Sequence, residues 1–354
     1  MPCIVVCATI LGMRHTLVLF ACCLAAQAQP KRIPIKVVVV AMFERGADTG
    51  DEPGEYQYWV EREKLDRIIP FPQGYHDLRI NDKGVLGVLT GIGTAKAAAS
   101  IMALGLDPRF DLTKAYWLVA GIAGVDPADA SLASAAWATY VVDGDLAHEI
   151  DAREIPKDWK TGYVPLRKSV PYEQPRIVPD FGECYRLNPD LVDWAFHLTE
   201  HVELPDDDKI SKERAKYASS NARRPPFVLK GDTLSGSTFW HGKLLNEWAN
   251  DWVKYQTDGK GNYVTTAMED TGTLQSLTFL SRAGRVDLNR VLVLRTASDF
   301  DQPAPGESAA EGLARNKNAQ YAGYYPALES AWRVGHVVVS KLVEDWKQYR
   351  EKKW

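Results

Sequence analysis

Two short stretches carry carboxylates at places where an apolar run gives way to something else. In TTAMEDTGTLQSL, residues 265–277, Glu269 and Asp270 stand just ahead of an amphipathic segment whose apolar residues are Leu274, Leu277 and Leu280. An acid at a helix start complements the unpaired N–H groups of the first turn; at the end of a strand it can instead accept hydrogen bonds from a ligand's hydroxyls. In RVLVLRTASDFD, Asp299 follows Ser298 at the close of a strongly apolar run. Partial desolvation there raises a carboxyl pKa and suits the group to general-acid work, with a helix cap or turn as the structural alternative.

Three further stretches could line a ligand. GIGT, residues 91–94, follows VLGVLT and opens an alanine-rich helix. Small residues there let a ligand reach backbone N–H groups at a positive helix end, although tight strand-to-helix packing explains the glycines equally well. GIAG, residues 121–124, follows YWLVA in the same way. SGSTFWHG, residues 235–242, sets Phe239 and Trp240 side by side, either as core or as a stacking face for a flat ligand.

Positioning these groups requires strands that end beside helix starts. KVVVVAMF (36–43), VLGVLTG (85–91), YWLVAG (116–121), WATYVVDG (137–144), NYVTTAM (262–268) and RVLVLRTA (290–297) read as buried strands. TAKAAASIMALGL (94–106), NPDLVDWAFHLTEHV (188–202) and GKLLNEWANDWVKYQ (242–256) read as helices between them, and a last helix runs from about 327 to 349. The alternation predicts one α/β domain over residues 30–354 with a largely parallel central sheet, outside whose strand ends a ligand would bind. Residues 151–187 and 203–226 break the pattern and read as insertions.

Residues 1–29 differ from the rest. Arg14 and His15 precede TLVLFACCLAA, which ends in Ala-Gln-Ala, the pattern of a secretory signal peptide. The expectation is an exported protein, periplasmic or secreted, with no membrane span in the mature chain, since no later run approaches 18 apolar residues. Four of the five cysteines fall in this leader, leaving Cys184 and no intramolecular disulfide. The net charge of −4 argues against a nucleic-acid partner, which calls for a basic patch.

In order and spacing, TGIGTAKAAASI, VAGIAGVDP, SGSTF, AMED and LRTASDFD resemble the nucleoside phosphorylase and nucleosidase superfamily. TFWHG, AMEDTGTLQSL and YYPALESAWRVG are closer still to one branch of it, the purine nucleoside permease family, and the likeness runs from about residue 35 to 346. It implies a nucleoside phosphorylase-like three-layer α/β/α fold with a central mixed, largely parallel sheet. It also implies roles. Glu269 would accept the ribose 2′- and 3′-hydroxyls, Met268 would pack on the sugar, Asp299 beside Ser298 would protonate the purine at N7, and Phe239, with Trp240 beside it, would stack on the base. Thr90, Gly91 and Gly93 would line the phosphate or water side, and Ala120, Gly121 and the residues to 124 the base. This chain departs from the pattern at Ala267, where many relatives carry a second acid. In FER, either Glu44 takes the place of the water-activating glutamate, or Arg45 points inward and holds phosphate.

The resemblance leaves two functions open: cleavage of the N-glycosidic bond of a purine nucleoside by phosphorolysis or hydrolysis, or non-catalytic nucleoside binding that assists uptake. The expected partners are a purine nucleoside or purine base, with room for a homo-oligomer. No cofactor or metal is implied beyond phosphate as a co-substrate of phosphorolysis.

Overall fold

The computed structural model describes residues 32–176, 182–315 and 321–354. The leader expected over residues 1–29 lies outside them. The six apolar runs form the strands Val37–Ala41, Val85–Leu89, Tyr116–Val125, Tyr140–Asp143, Tyr263–Ala267 and Val291–Phe300. Val37, Val38, Val39 and Val40 are fully buried. Their strand has parallel partners on both edges, Val85–Leu89 and residues 116–119, and a strand covered in this way tolerates an unbroken β-branched run.

Shorter strands complete a 12-stranded mixed sheet. Nine strands follow the order Cys184–Arg186, Tyr140–Asp143, Asp232–Ser235, Tyr263–Ala267, Tyr116–Val125, Val37–Ala41, Val85–Leu89, Leu78–Ile80 and Arg67–Ile69, and Val291–Phe300, Ala135–Trp137 and Val228–Lys230 pair off this path. Its outer pairs are antiparallel. Two strands run further than their apolar cores suggest. Tyr116–Val125 continues through GIAG, and Val291–Phe300 continues through Ser298 and Asp299, because the two pair in parallel from Val291 opposite Trp117 to Phe300 opposite Val125. Stretches that read as turns are therefore strand.

Helices cover the sheet in a three-layer α/β/α arrangement. Tyr324–Glu344 buries Ala327, Ala331, Val334 and Val338, a stripe at helical spacing. Thr94–Leu106 crosses Asp270–Arg282 at Gly272, where a Cβ would collide with the Thr94 carbonyl, so two helix N-termini meet at one end of the sheet. Of the two insertions, residues 203–226 form the helices Asp208–Arg214 and Ser220–Arg223, whose Ile210 and Ala222 pack with Val125 and Phe300. Residues 151–187, of which 177–181 lie outside the description, add the strands Tyr163–Pro165 and Cys184–Arg186. Arg32–Trp354 is one compact unit.

Candidate functional site

The Tyr116–Val125 strand changes partner along one edge. Val37–Ala41 accompanies it only at residues 116–119, and Tyr263–Ala267 joins it only at Gly124 and Val125. The interval between them has no strand beside it. Backbone groups exposed in such a seam need other partners, and Glu55 supplies one. Its Oε1 accepts the Ile122 N–H at 2.7 Å and its Oε2 the Met42 N–H at 2.9 Å, while Arg295 Nη1 donates to the Ile122 carbonyl at 3.1 Å. Gly121 makes room for this: a Cβ there would lie 2.5 Å from Glu55 Oε1 and 2.7 Å from Arg295 Nη1.

Arg295 is 1% exposed and donates to Asp270 Oδ1 at 2.5 Å and to Glu269 Oε2 at 3.2 Å. The other Glu269 oxygen accepts the Gly93 N–H at 3.1 Å. Glu269 stands at the N-cap position of Asp270–Arg282, yet its side chain caps nothing in its own helix. The structure thus takes it out of the helix-cap reading and aims it across to the start of Thr94–Leu106. Burial raises its pKa, against the pull of Arg295. Burial likewise pushes Glu55 to about 8, with Arg295 opposing and Glu269 reinforcing.

Asp299 arrives from the neighbouring strand. The register slips between Ala297 and Asp299, which brings Asp299 opposite Gly124. Ser298 Oγ donates toward the Ala123 carbonyl at 3.1 Å and toward Asp299 Oδ1 at 2.8 Å. Burial raises Asp299 to about 6, less the effect of the Ser298 hydroxyl.

These groups surround one cavity of about 250 Å³. Glu55, Glu269, Arg295 and Asp299 line it, with Ile122, Ala123 and Gly124 along the strand, Phe239 and Met268 opposite, and Ile92, Tyr321 and Tyr324 at its sides. Phe239 is 49% exposed, so one face of the ring is open. Among the described residues no group of three or more His, Cys, Asp or Glu is placed to hold a metal ion.

Of the residues singled out from sequence, Ile122, Ala123, Gly124, Phe239, Met268, Glu269, Ser298 and Asp299 come together here. Others do not. Glu44 is not on the cavity wall: its carboxylate accepts backbone N–H groups of Arg45, Gly54, Tyr56 and Gln57, so it folds the loop that leads to the Gln57–Arg62 helix. Arg45 is also off the wall, paired with Glu52 at 2.7 Å, with its guanidinium 5.6 Å from the centre of the Tyr324 ring. Thr90 is buried under that wall, its hydroxyl turned to the Gly91 carbonyl, and Gly91 packs on Tyr75. Gly93 acts one step back, through Glu269. Ala120 is core, Gly121 is the gap that admits Glu55, and the cavity wall begins at Ile122. Trp240 turns into a separate cluster with Trp248 and Tyr263.

Sequence reasoning missed Glu55 and Arg295. The signal for Arg295 was a cation inside the apolar run VLVLRTA, which cannot be buried unpaired. GDEPGE, residues 50–55, offered three acids with nothing local to choose among them.

Comparison with known proteins bears on the family and the fold. A family model described as purine nucleoside permease matches residues 34–353. A probable purine nucleoside permease of Schizosaccharomyces pombe is 34% identical over 267 residues, 73% of this chain and 75% of that one. A purine nucleoside permease of Candida albicans is 34% identical over 269 residues, 75% of this chain and 65% of that one, so about a third of the Candida protein has no counterpart in the match. Among solved structures, a 5′-methylthioadenosine/S-adenosylhomocysteine nucleosidase from Neisseria meningitidis, in complex with methylthio-immucillin-A, superposes with a TM-score of 0.50 at 15% identity over 87% of this chain and 100% of that one. The futalosine hydrolase of Helicobacter pylori gives 0.52 at 14% identity, over 87% and 98%. At such identity the likeness shows the fold, which is nucleoside phosphorylase-like. The relatives correct one expectation. A protein released to the periplasm or the medium does not agree with their name, permease, which denotes membrane transport. No helix among the described residues is long and apolar enough to cross a membrane.

Proposed function

The chain belongs to the purine nucleoside permease family, and on that premise we propose that its cavity holds a purine nucleoside and cleaves the N-glycosidic bond with water. The observation that carries this reading is the pair of buried carboxyls that meet the Tyr116–Val125 strand from its two sides and line one cavity. Glu55 is bonded at Ile122 and Asp299 sits opposite Gly124. The two anchor points are therefore two residues, or about 7 Å, apart along the strand. Both carboxyls line the same cavity, an arrangement that suits an acid on the base and a base behind the sugar, with the bond between them.

Asp299, raised by burial, donates its proton to purine N7, so the base leaves neutral. Glu55 takes a proton from the water that attacks C1′. Glu269 has one oxygen held by Gly93 and the other by Arg295, and a free lone pair on each accepts the ribose 2′- and 3′-hydroxyls. Its charge also favours the oxocarbenium character that develops on the ribose. Met268 packs on the sugar and the open face of Phe239 on the base.

Water suits the site better than phosphate. Arg295, the one cation on the wall among the described residues, is committed to Asp270, Glu269 and the Ile122 carbonyl. A phosphate dianion would meet the carboxylates of Glu55 and Glu269 instead. The test is chromatographic detection of free base released from inosine, adenosine and guanosine by the purified chain and by its Glu55→Gln variant. Tight binding of intact nucleoside with no base release would favour the second reading, a nucleoside-binding component of uptake, which the relatives' names support.

A further inference from the structure

A second cavity, of about 410 Å³, meets the first at Ser298, Asp299 and Tyr321, so the Asp299 side chain stands where the two join. Its charge is of the opposite sign. Lys209, Lys212, Lys216 and Arg315 line it, against two carboxylates, Glu213 and the shared Asp299. Lys216 and Arg315 pair with Glu213 at 2.7 and 2.5 Å, whereas Lys209 and Lys212 make no ion pair among the described residues. His241 adds to the wall, and both its ring nitrogens are shielded from solvent without a hydrogen-bond partner. The 203–226 insertion is fixed here as part of the wall: Tyr217 lies against Phe300 with ring centroids 4.0 Å apart and donates its hydroxyl to the Gln302 carbonyl at 2.8 Å.

We propose that this second cavity receives an acidic substituent carried on the six-position of the purine, so that the preferred ligands are purine nucleosides with a carboxylate-bearing N6 side chain. The inference rests on the reading that Asp299 faces N7. In a purine, N7 and the six-substituent share one edge. A base held with N7 at Asp299 therefore sends its six-substituent past Asp299 toward Lys209 and Lys212. The insertion, which the purine-binding strands do not need for their own pairing, supplies the cations at that place. Carboxylates on such a side chain would meet two ammonium groups that form no ion pair among the described residues.

The test is titration calorimetry of the full chain with adenosine, N6-(1,2-dicarboxyethyl)adenosine, the neutral N6-butyladenosine, and succinate alone. The expected result is affinity for the dicarboxylate about tenfold above that for the butyl analogue, the size of one charge-assisted hydrogen bond. The ratio falls toward one at high salt, which screens exposed ammonium groups, and in a Lys209→Gln/Lys212→Gln double variant. Adenosine that binds while the dicarboxylate gains nothing over the butyl analogue overturns this inference alone. Succinate that binds as tightly as the dicarboxylate nucleoside, and is not displaced by it, also overturns it, by making the cavity a site for a free anion. Failure of every nucleoside to bind overturns it together with the reading it rests on.

Discussion

Glu55 and Ile122 are 67 positions apart in the chain, yet the Glu55 carboxylate accepts the Ile122 backbone N–H at 2.7 Å. That contact seals the seam where the Tyr116–Val125 strand changes partners, and it puts a buried acid on the wall of the cavity. An acid that only repaired the sheet would, as its amide, lose one of the two N–H contacts and some stability, but the pH profile of cleavage would keep its shape. For an acid that activates water, the profile would change.

The pH dependence of cleavage separates the two roles. The proposed hydrolysis needs Glu55 ionised and Asp299 protonated, while burial pushes them to about 8 and about 6, the reverse of the productive order. The rate should rise to about pH 6, stay level, and fall above about 8, with the productive pair present in about 1% of molecules along the plateau. Glu55→Gln should lower the rate by roughly 10²- to 10⁴-fold. It should also remove the plateau, leaving a rate that falls above about pH 6 as Asp299 alone ionises. A Glu55→Gln profile of unchanged shape and height would return Glu55 to a structural role.

The strand cores and the Thr94–Leu106 helix were legible because burial on both faces and an alanine-rich 3.6 period leave local signatures. Eight cavity residues were legible through motifs that keep their order, from Ile122 to Asp299. Glu55 was not, because its role depends on a loop returning across a seam that exists only after three strands have paired. Glu44 is the nearer acid in sequence, but four backbone N–H groups claim it. For the same reason GIAG reads as a turn: its small residues are strand only because Val291–Phe300 lies alongside.

Stability should fall as pH rises from about 5 to 8. Glu55, Asp299 and Asp143 are all raised by burial, to about 8, 6 and 6. In that window the native state therefore holds protons that the unfolded chain has lost, and deprotonation favours unfolding. Thermal melts should show Tm decreasing across the window, with Glu55→Gln flattening the slope most between pH 6 and 8. A Tm that climbs over this range would mean these carboxyls are ionised in the fold.

Glu269→Gln should weaken binding of a nucleoside by about 1.5 to 3 kcal/mol, the cost of losing charge-assisted hydrogen bonds to the ribose hydroxyls. Free purine base, held by Phe239 and residues 122–124, should bind nearly as before. Titration calorimetry with inosine and hypoxanthine compares the two. Equal losses would show that Glu269 serves the framework of Arg295 and Gly93 and not the sugar.

Asp299→Asn keeps the shape of the side chain and removes its transferable proton. Nucleoside affinity should change little while base release drops by roughly 10²- to 10⁴-fold. The defect should be smallest for nucleosides whose base leaves easily without protonation, such as 7-methylguanosine, because N7 there needs no proton. An equal defect for inosine and 7-methylguanosine would count against proton donation by Asp299.

The central claim is cleavage by water in the Glu55 and Asp299 cavity, and the most direct measurement is the identity of the sugar product. The purified chain is incubated with inosine in buffers with and without inorganic phosphate, and base, ribose and ribose 1-phosphate are separated by chromatography. The account predicts hypoxanthine and free ribose in equal amounts, at a rate that phosphate leaves unchanged. Ribose 1-phosphate formed only when phosphate is present, or inosine recovered intact from a chain that binds it, would contradict the account.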